Sequence, residues 1–192
     1  MPKNNKLNCS NVTQQKIADS LKQLMDKTPF EKISISDITN NCSIHRQTFY
    51  YHFTDKYELL GWIFSMELIE PFIKDFTFDN LYEHLEAMFT TMKNSERFYK
   101  NAFRLNADEV AFFINQMLSS EFSKIVRKVE DDNQSYLEGE FDERITTLFL
   151  GYGIAGVVIN WAQQGMKESP QELTESLRNV MSHFKRIAAE RI

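Results

Sequence analysis

Glycine and proline are scarce in this chain of 192 residues, at six and four. Turn-rich β architecture needs both, so their scarcity points to long helices. Cysteine is scarcer still. Cys9 and Cys42 are too few for a disulfide scaffold, and Cys42 is expected as a small buried apolar residue. The first twelve residues are polar and lack the apolar core of a signal peptide. The longest apolar run, Leu148 to Ala162, is 15 residues and contains Asn160; about 20 are needed to span a bilayer. The chain therefore reads as cytoplasmic. Catalytic constellations are missing as well. There is no G-x-S-x-G, no glycine loop to cradle phosphate, and no histidine–thiol pair at metal spacing. His45, His52, His84 and His183 have no carboxylate or thiol arrangement that suggests zinc. The expectation is no enzyme, no cofactor and no metal.

Positive charge is also in deficit, with a net of −5, but its distribution is uneven. Residues 1–56 carry eight Lys/Arg against five Asp/Glu, whereas residues 57–192 carry fourteen against twenty-two. A basic excess of three thus sits at one end of an acidic chain, the pattern of a polyanion-binding head on a separate body. Apolar content is ordinary at 42%, and 16 Phe, 7 Tyr and 2 Trp give ample material for a core.

The basic end contains SDITNNCSIHRQTFYYHFTDKYELL, Ser36 to Leu60. Ser36 can cap a helix running to about Asn41, with Ile38 and Cys42 on one stripe. Only Ser43, Ile44 and His45 separate it from the next periodic segment, which marks a helix-turn-helix. In the second helix Ile44, Phe49 and Phe53 can point inward. Arg46 with Tyr50, and Gln47 with Tyr51, then share the opposite face. A bidentate donor, an amide and two phenols suit base edges and phosphates. Asp55 and Glu58 have N-cap and N3 spacing for a third helix, with Lys56 at its N-terminus.

The string TFYYHFTDKYELL resembles the signature of the TetR family of bacterial transcription regulators, carried here by Thr48, Phe49, Tyr50, His52, Phe53 and Lys56, with Leu59 and Leu60 following. Two positions depart from it. Ser43 stands where the turn usually has glycine, and must accept a left-handed backbone. His45 stands where the recognition helix usually has a Ser/Thr cap. The resemblance implies an all-α chain of about nine helices that binds a palindromic double-stranded DNA operator as a homodimer. It implies a flexible tail at 1–12, a helix-turn-helix domain at 13–56 and a helical effector and dimerisation domain at 57–192. The expected DNA contacts are Ser34, Ser36, Arg46, Gln47, Thr48, Tyr50, Tyr51, His52 and Lys56. The head sequence IADSLKQLMDKTPFEKISISDITNNCSIHRQTFYYHF is similar to that of regulators of dihydroxyacetone kinase operons. That similarity implies an activator working with a co-activator protein related to a dihydroxyacetone kinase subunit. A small-molecule-responsive repressor and a protein-interaction module without DNA remain the alternatives.

Elsewhere the periodicity predicts helices from Thr13 to about Asp26, from Asp55 to about Glu70 with a break or kink at Pro71, and over 79–94, 95–106, 107–130 and 140–165. A last helix opens at Ser169-Pro170, a cap followed by an N1 proline. Gly165 is placed to end the helix before it. Trp62, Phe72, Phe89, Phe103 and Phe113 are candidates for an effector or partner pocket, against the plainer reading of a packed core. His84 reads as a surface histidine. Gly151 and Ala155 are four apart, and glycine in a helix usually marks close approach. With Ile159, Leu177, Met181 and Phe184 they are the expected dimer interface, an intersubunit four-helix bundle.

Overall fold

The computed structural model describes residues 4–77, 79–104 and 143–189, and all regular elements among them are helical. Helix α1 spans Asn4–Met25. It starts well before Thr13, because nothing from Asn4 onward breaks a helix until Pro29. Its second half carries the buried stripe Ile17, Ala18, Leu21 and Met25. A 3-10 turn at Phe30–Lys32 leads to α2, Ile35–Asn41, and then α3, Arg46–His52. The cap of α2 is Ser34, not Ser36. Ser34 accepts from the Asp37 amide while Asp37 accepts from the Ser34 amide, a reciprocal capping box that Ser36 has no residue to complete. The turn between α2 and α3 passes through Ser43 at φ +54°, the left-handed backbone expected there.

Helix α4, Lys56–Phe64, continues through a π turn at Ser65–Ile69 into α5, Glu70–Ile73. Pro71 therefore does not break the helix. Its missing N–H and its ring conflict with an ordinary α turn, and the wider π turn just before it accommodates both. The body continues with α6, Leu81–Asn94, and α7, Glu96–Ala102. The expected helix over 107–130 lies outside the described residues. Helix α8 is Glu143–Gln163 and α9 is Pro170–Ala189. Helix α8 ends on Gly165 at φ +95°, with the Met166 amide reaching back to the Trp161 carbonyl at 2.8 Å. That six-to-one bond is the Schellman closure that a C′ glycine permits. Ser169 and Glu172 form the capping box of α9.

The buried apolar residues form one cluster running from the head into the body. In the head, Phe30, Ile38, Phe49, Phe53 and Leu59 are at most 2% exposed. In the body, Phe64 stacks on Tyr99 and Phe103, with centroids at 5.8 and 5.4 Å. Phe89 meets Trp161 edge-on at 5.4 Å, tying α6 to α8. Helix α9 lies along α6, with the Arg178 guanidinium over the Tyr82 ring.

Candidate nucleic-acid interface and pairing surface

Helix α3 is divided by its core residue. Phe49 is fully buried, held between Tyr50 and Phe53. This leaves Arg46, Gln47, Tyr50 and Tyr51 exposed, Tyr51 at 82%. The Arg46 guanidinium lies 3.3 Å from the Tyr50 hydroxyl and donates to it. That contact braces two donors side by side one turn apart, as a reader of adjacent base edges requires. Thr48 and His52 are half-buried beside this face. His45 caps α3 with its backbone only and makes no side-chain cap bond, as its weak capping chemistry implies.

The supports beneath α3 are polar and satisfied. Ser20 of α1 donates to the Ile38 carbonyl at 2.7 Å and accepts from Asn41 at 3.0 Å, stitching α2 to α1. Cys42 is a buried thiol packed on the Ile38 carbonyl. Asp55 caps α4 through the Tyr57 and Glu58 amides. Glu58 closes the cap one residue earlier than its spacing suggests, accepting from the Thr54 amide and hydroxyl at 2.6 Å. Those two bonds hold the Glu58 carboxyl below the usual range.

The remaining head candidates are placed differently from one another. The Ser34 hydroxyl is engaged with Asp37, and Ser36 is half-buried. The Lys56 ammonium donates to three backbone carbonyls, Phe30 at 2.9 Å, Glu31 at 3.1 Å and Ile33 at 2.9 Å. It also lies over the Phe30 ring. All three of its protons are engaged within the chain. Desolvation lowers its pKa, with the nearby Glu31 charge acting against that.

In the body, the pocket candidates do not converge. Trp62 packs on Phe53, Phe72 on Phe76 and His84, and Phe103 on Phe64. Phe113 lies outside the described residues. His84 is half-buried between two rings rather than solvated. Phe89 is the named aromatic that borders a groove. It lines a groove of about 690 Å3 between α6, α8 and α9, together with Leu85, Phe149, Tyr152 and Val157.

The pairing candidates divide as well. Ala155 and Ile159 are buried at 2% and 8%, turned into the chain's own core, and Gly151 is buried with them. The outward stripe of α8 is Ile145, Phe149, Tyr152 and Gly156. Met181 is exposed on α9 and Leu177 half-buried; the side chain of Phe184 lies outside the described set. A Cβ built on Gly153 or Gly156 would meet nothing within 4 Å. No group among the described residues explains either glycine. On α8 the named residues thus face inward, and the apolar side chains left outside are Ile145, Phe149 and Tyr152.

A helix-turn-helix head joined by α4 and α5 to a helical body, with apolar side chains exposed on α8 and α9, is the architecture of a DNA-binding regulator. Residues 17–61 match the family model described as bacterial regulatory proteins of the tetR family. Residues 79–183 match that of a transcriptional regulator C-terminal region. The chain belongs to the TetR family of DNA-binding transcription regulators. It is 30% identical over 146 residues to the HTH-type dhaKLM operon transcriptional activator DhaS of Lactococcus lactis subsp. lactis (strain IL1403), spanning 76% of this chain and 75% of that protein. A solved structure of the dihydroxyacetone kinase operon activator DhaS superposes with a TM-score of 0.64 at 23% identity, covering 92% of this chain and 97% of that one. The fatty acid degradation regulator FadR from Bacillus halodurans gives 0.60 at 16% identity, over 87% and 93%. At these identities the two structures establish the shared fold alone. Among the described residues no helix is long and apolar enough to cross a membrane, and no cluster of His, Cys, Asp or Glu could hold a metal ion.

Proposed function

We propose that the chain acts in the cytoplasm as a homodimer that sets α3 of each copy into the major groove of a palindromic operator. The observation that carries this reading is the face of α3. Arg46, Gln47, Tyr50 and Tyr51 stand exposed over a fully buried Phe49. Arg46 and Gln47 meet base edges, and Tyr50, Tyr51, Thr48 and His52 meet bases and flanking phosphates. Lys56 acts at one remove, by tying the link before α2 to the start of α4. With a basic surplus of only three in its first 56 residues, one head binds weakly, and two-fold pairing supplies the rest. Selection from random DNA tests the reading. Enrichment of a two-fold site is expected; recovery of no preferred sequence overturns it.

The regulation we propose is activation of an operon for dihydroxyacetone phosphorylation, with a co-activator protein related to a dihydroxyacetone kinase subunit. Its support is the relationship to the dhaKLM operon activator over three quarters of both chains. One observation favours a small-molecule effector instead. The α6–α8–α9 groove is apolar and of about 690 Å3, within the usual range of ligand sites. Transcription from the selected site decides between them. Stimulation only when the kinase-like protein is present supports the first, whereas relief of repression by a metabolite that also raises the melting temperature supports the second.

A further inference from the structure

The head is joined to the body by one continuous helix, Lys56 to Ile73, interrupted by the π turn at Ser65–Ile69. One helix by itself would leave the head free to bend at that turn and to twist about its axis. The structure removes both freedoms at two points.

The first point is Asn101, near the end of α7. Its amide nitrogen donates to the Met25 carbonyl and to the Thr28 carbonyl, both at 2.7 Å. Its amide oxygen accepts from the Phe30 backbone N–H at 3.1 Å. A single body side chain thus satisfies three backbone groups of the link between α1 and α2. Those groups have no helix partner of their own once α1 ends at Met25. Lys56 grips the same link from the α4 side, through the Phe30 and Ile33 carbonyls. The link is therefore clamped between the body and the lever, and α2 starts directly after it.

The second point is Glu67, inside the π turn. One carboxylate oxygen pairs with Lys22 of α1 at 2.6 Å, and the other accepts from the Tyr99 hydroxyl of α7 at 2.7 Å. Tyr99 is fully buried, so its hydroxyl requires that partner. The π turn presents Glu67 toward head and body at once. Asn101 and Tyr99 lie two residues apart on α7, so both ties report the position of that one short helix.

We propose that Asn101, with Glu67 as the second anchor, is the positioning residue that fixes the angle of the head on the body, and so sets the half-site spacing that the paired heads accept. The proposal rests on the two-fold DNA-reading function above. Neither residue touches DNA in this scheme. Each acts by denying the lever its bend and its twist, and a displacement of α7 moves the start of α2 through a fully occupied amide.

The test uses the full-length protein and the best site selected from random DNA, together with copies in which the centre is lengthened or shortened by one and two base pairs. For the native chain a misplaced half-site is expected to weaken binding on the order of tenfold or more, since one head loses its groove. Asn101→Ala is expected to lose a few-fold on the best site and to flatten the spacing profile several-fold. Tyr99→Phe, which keeps the ring and its stacking, shifts the profile the same way by less. Glu67→Gln serves where Asn101→Ala does not fold, as judged by circular dichroism and melting. If folded variants weaken binding equally at every spacing, or leave the profile of the native chain unchanged, the proposal is overturned. If the native chain selects no two-fold site, the functional reading fails, and that outcome is distinct.

Discussion

The head and the α8–α9 pair are built from similar helices, yet one is closed and the other is open. In the head, each apolar residue of α2 and α3 that could face inward does so at least in part. What remains outside is the polar and phenolic set of α3. In α8 and α9 large apolar side chains stay in solvent, with Phe149 77% exposed, Tyr152 56% and Val180 51%. An exposed apolar surface of this kind marks an interaction site rather than a finished surface. The head is complete as one copy and presents chemistry for DNA. Among the described residues nothing covers these side chains of α8 and α9, and the proposed function places a second copy there.

The sharpest way to break this comparison is to place a charge on the open face. Phe149→Asp is expected to leave the monomer folded while weakening self-association by about 100-fold or more. A side chain of this size contributes about 1.5–3 kcal/mol when buried, and a two-fold interface meets the change twice. Sedimentation of the variant would show monomer, and DNA affinity would fall with it. A dimer of native strength would assign the face to another partner.

Changes on the closed side act on recognition. Arg46→Ala and Gln47→Ala are each expected to lose about 1–3 kcal/mol on the preferred site and to relax discrimination at the base they meet. Competition against single-base variants of the site measures this. Equal loss on all sequences would move the residue from base reading to phosphate contact.

Lys56→Ala probes the inside of the head. With three hydrogen bonds to carbonyls removed, stability is expected to drop by about 1–3 kcal/mol in chemical denaturation. Affinity for all sequences then falls through loss of order in the link, and the salt dependence of binding keeps its slope. A slope smaller by about one would show that Lys56 neutralises a phosphate.

The smallest effect is expected at Ser43. Its φ of +54° is strained for any residue with a Cβ. Ser43→Gly should stabilise the head by up to about 1 kcal/mol in the same experiment, offset in part by the greater freedom of glycine in the unfolded chain. Destabilisation would mean that the serine side chain matters to the turn in a way the backbone does not reveal.

Much of the head was legible residue by residue. The short turn, the left-handed Ser43, the weak cap at His45, the Asp55 cap and the inward Phe49 all follow from chemistry confined to a turn or two of chain; the turn itself runs one residue longer than expected, from Cys42 to His45. The Gly165 stop and the Ser169-Pro170 start were legible for the same reason. The outward side of α8 was not. From Leu148 to Ile159 α8 is apolar all the way round, so its pattern has no preferred side and cannot say whether Ala155 or Tyr152 looks outward. The aromatic candidates show a second limit. Phe72, Phe89 and Phe103 are buried as their stripes suggest, but a stripe on one helix does not say which ring on another it meets.

The sequence alone determined the head's helix-turn-helix, the Asp55 cap, the Gly165 stop, the exposed polar face of α3 and the family, because those depend on hydrogen bonds and spacings within a few residues. Only the tertiary structure decided that Lys56 turns inward, that α8 shows Phe149 and Tyr152 rather than Ala155 and Ile159, and that Asn101 holds a link more than seventy residues away. Each of these depends on which groups a distant segment leaves unsatisfied, and a buried carbonyl recruits the nearest donor whatever its distance along the chain.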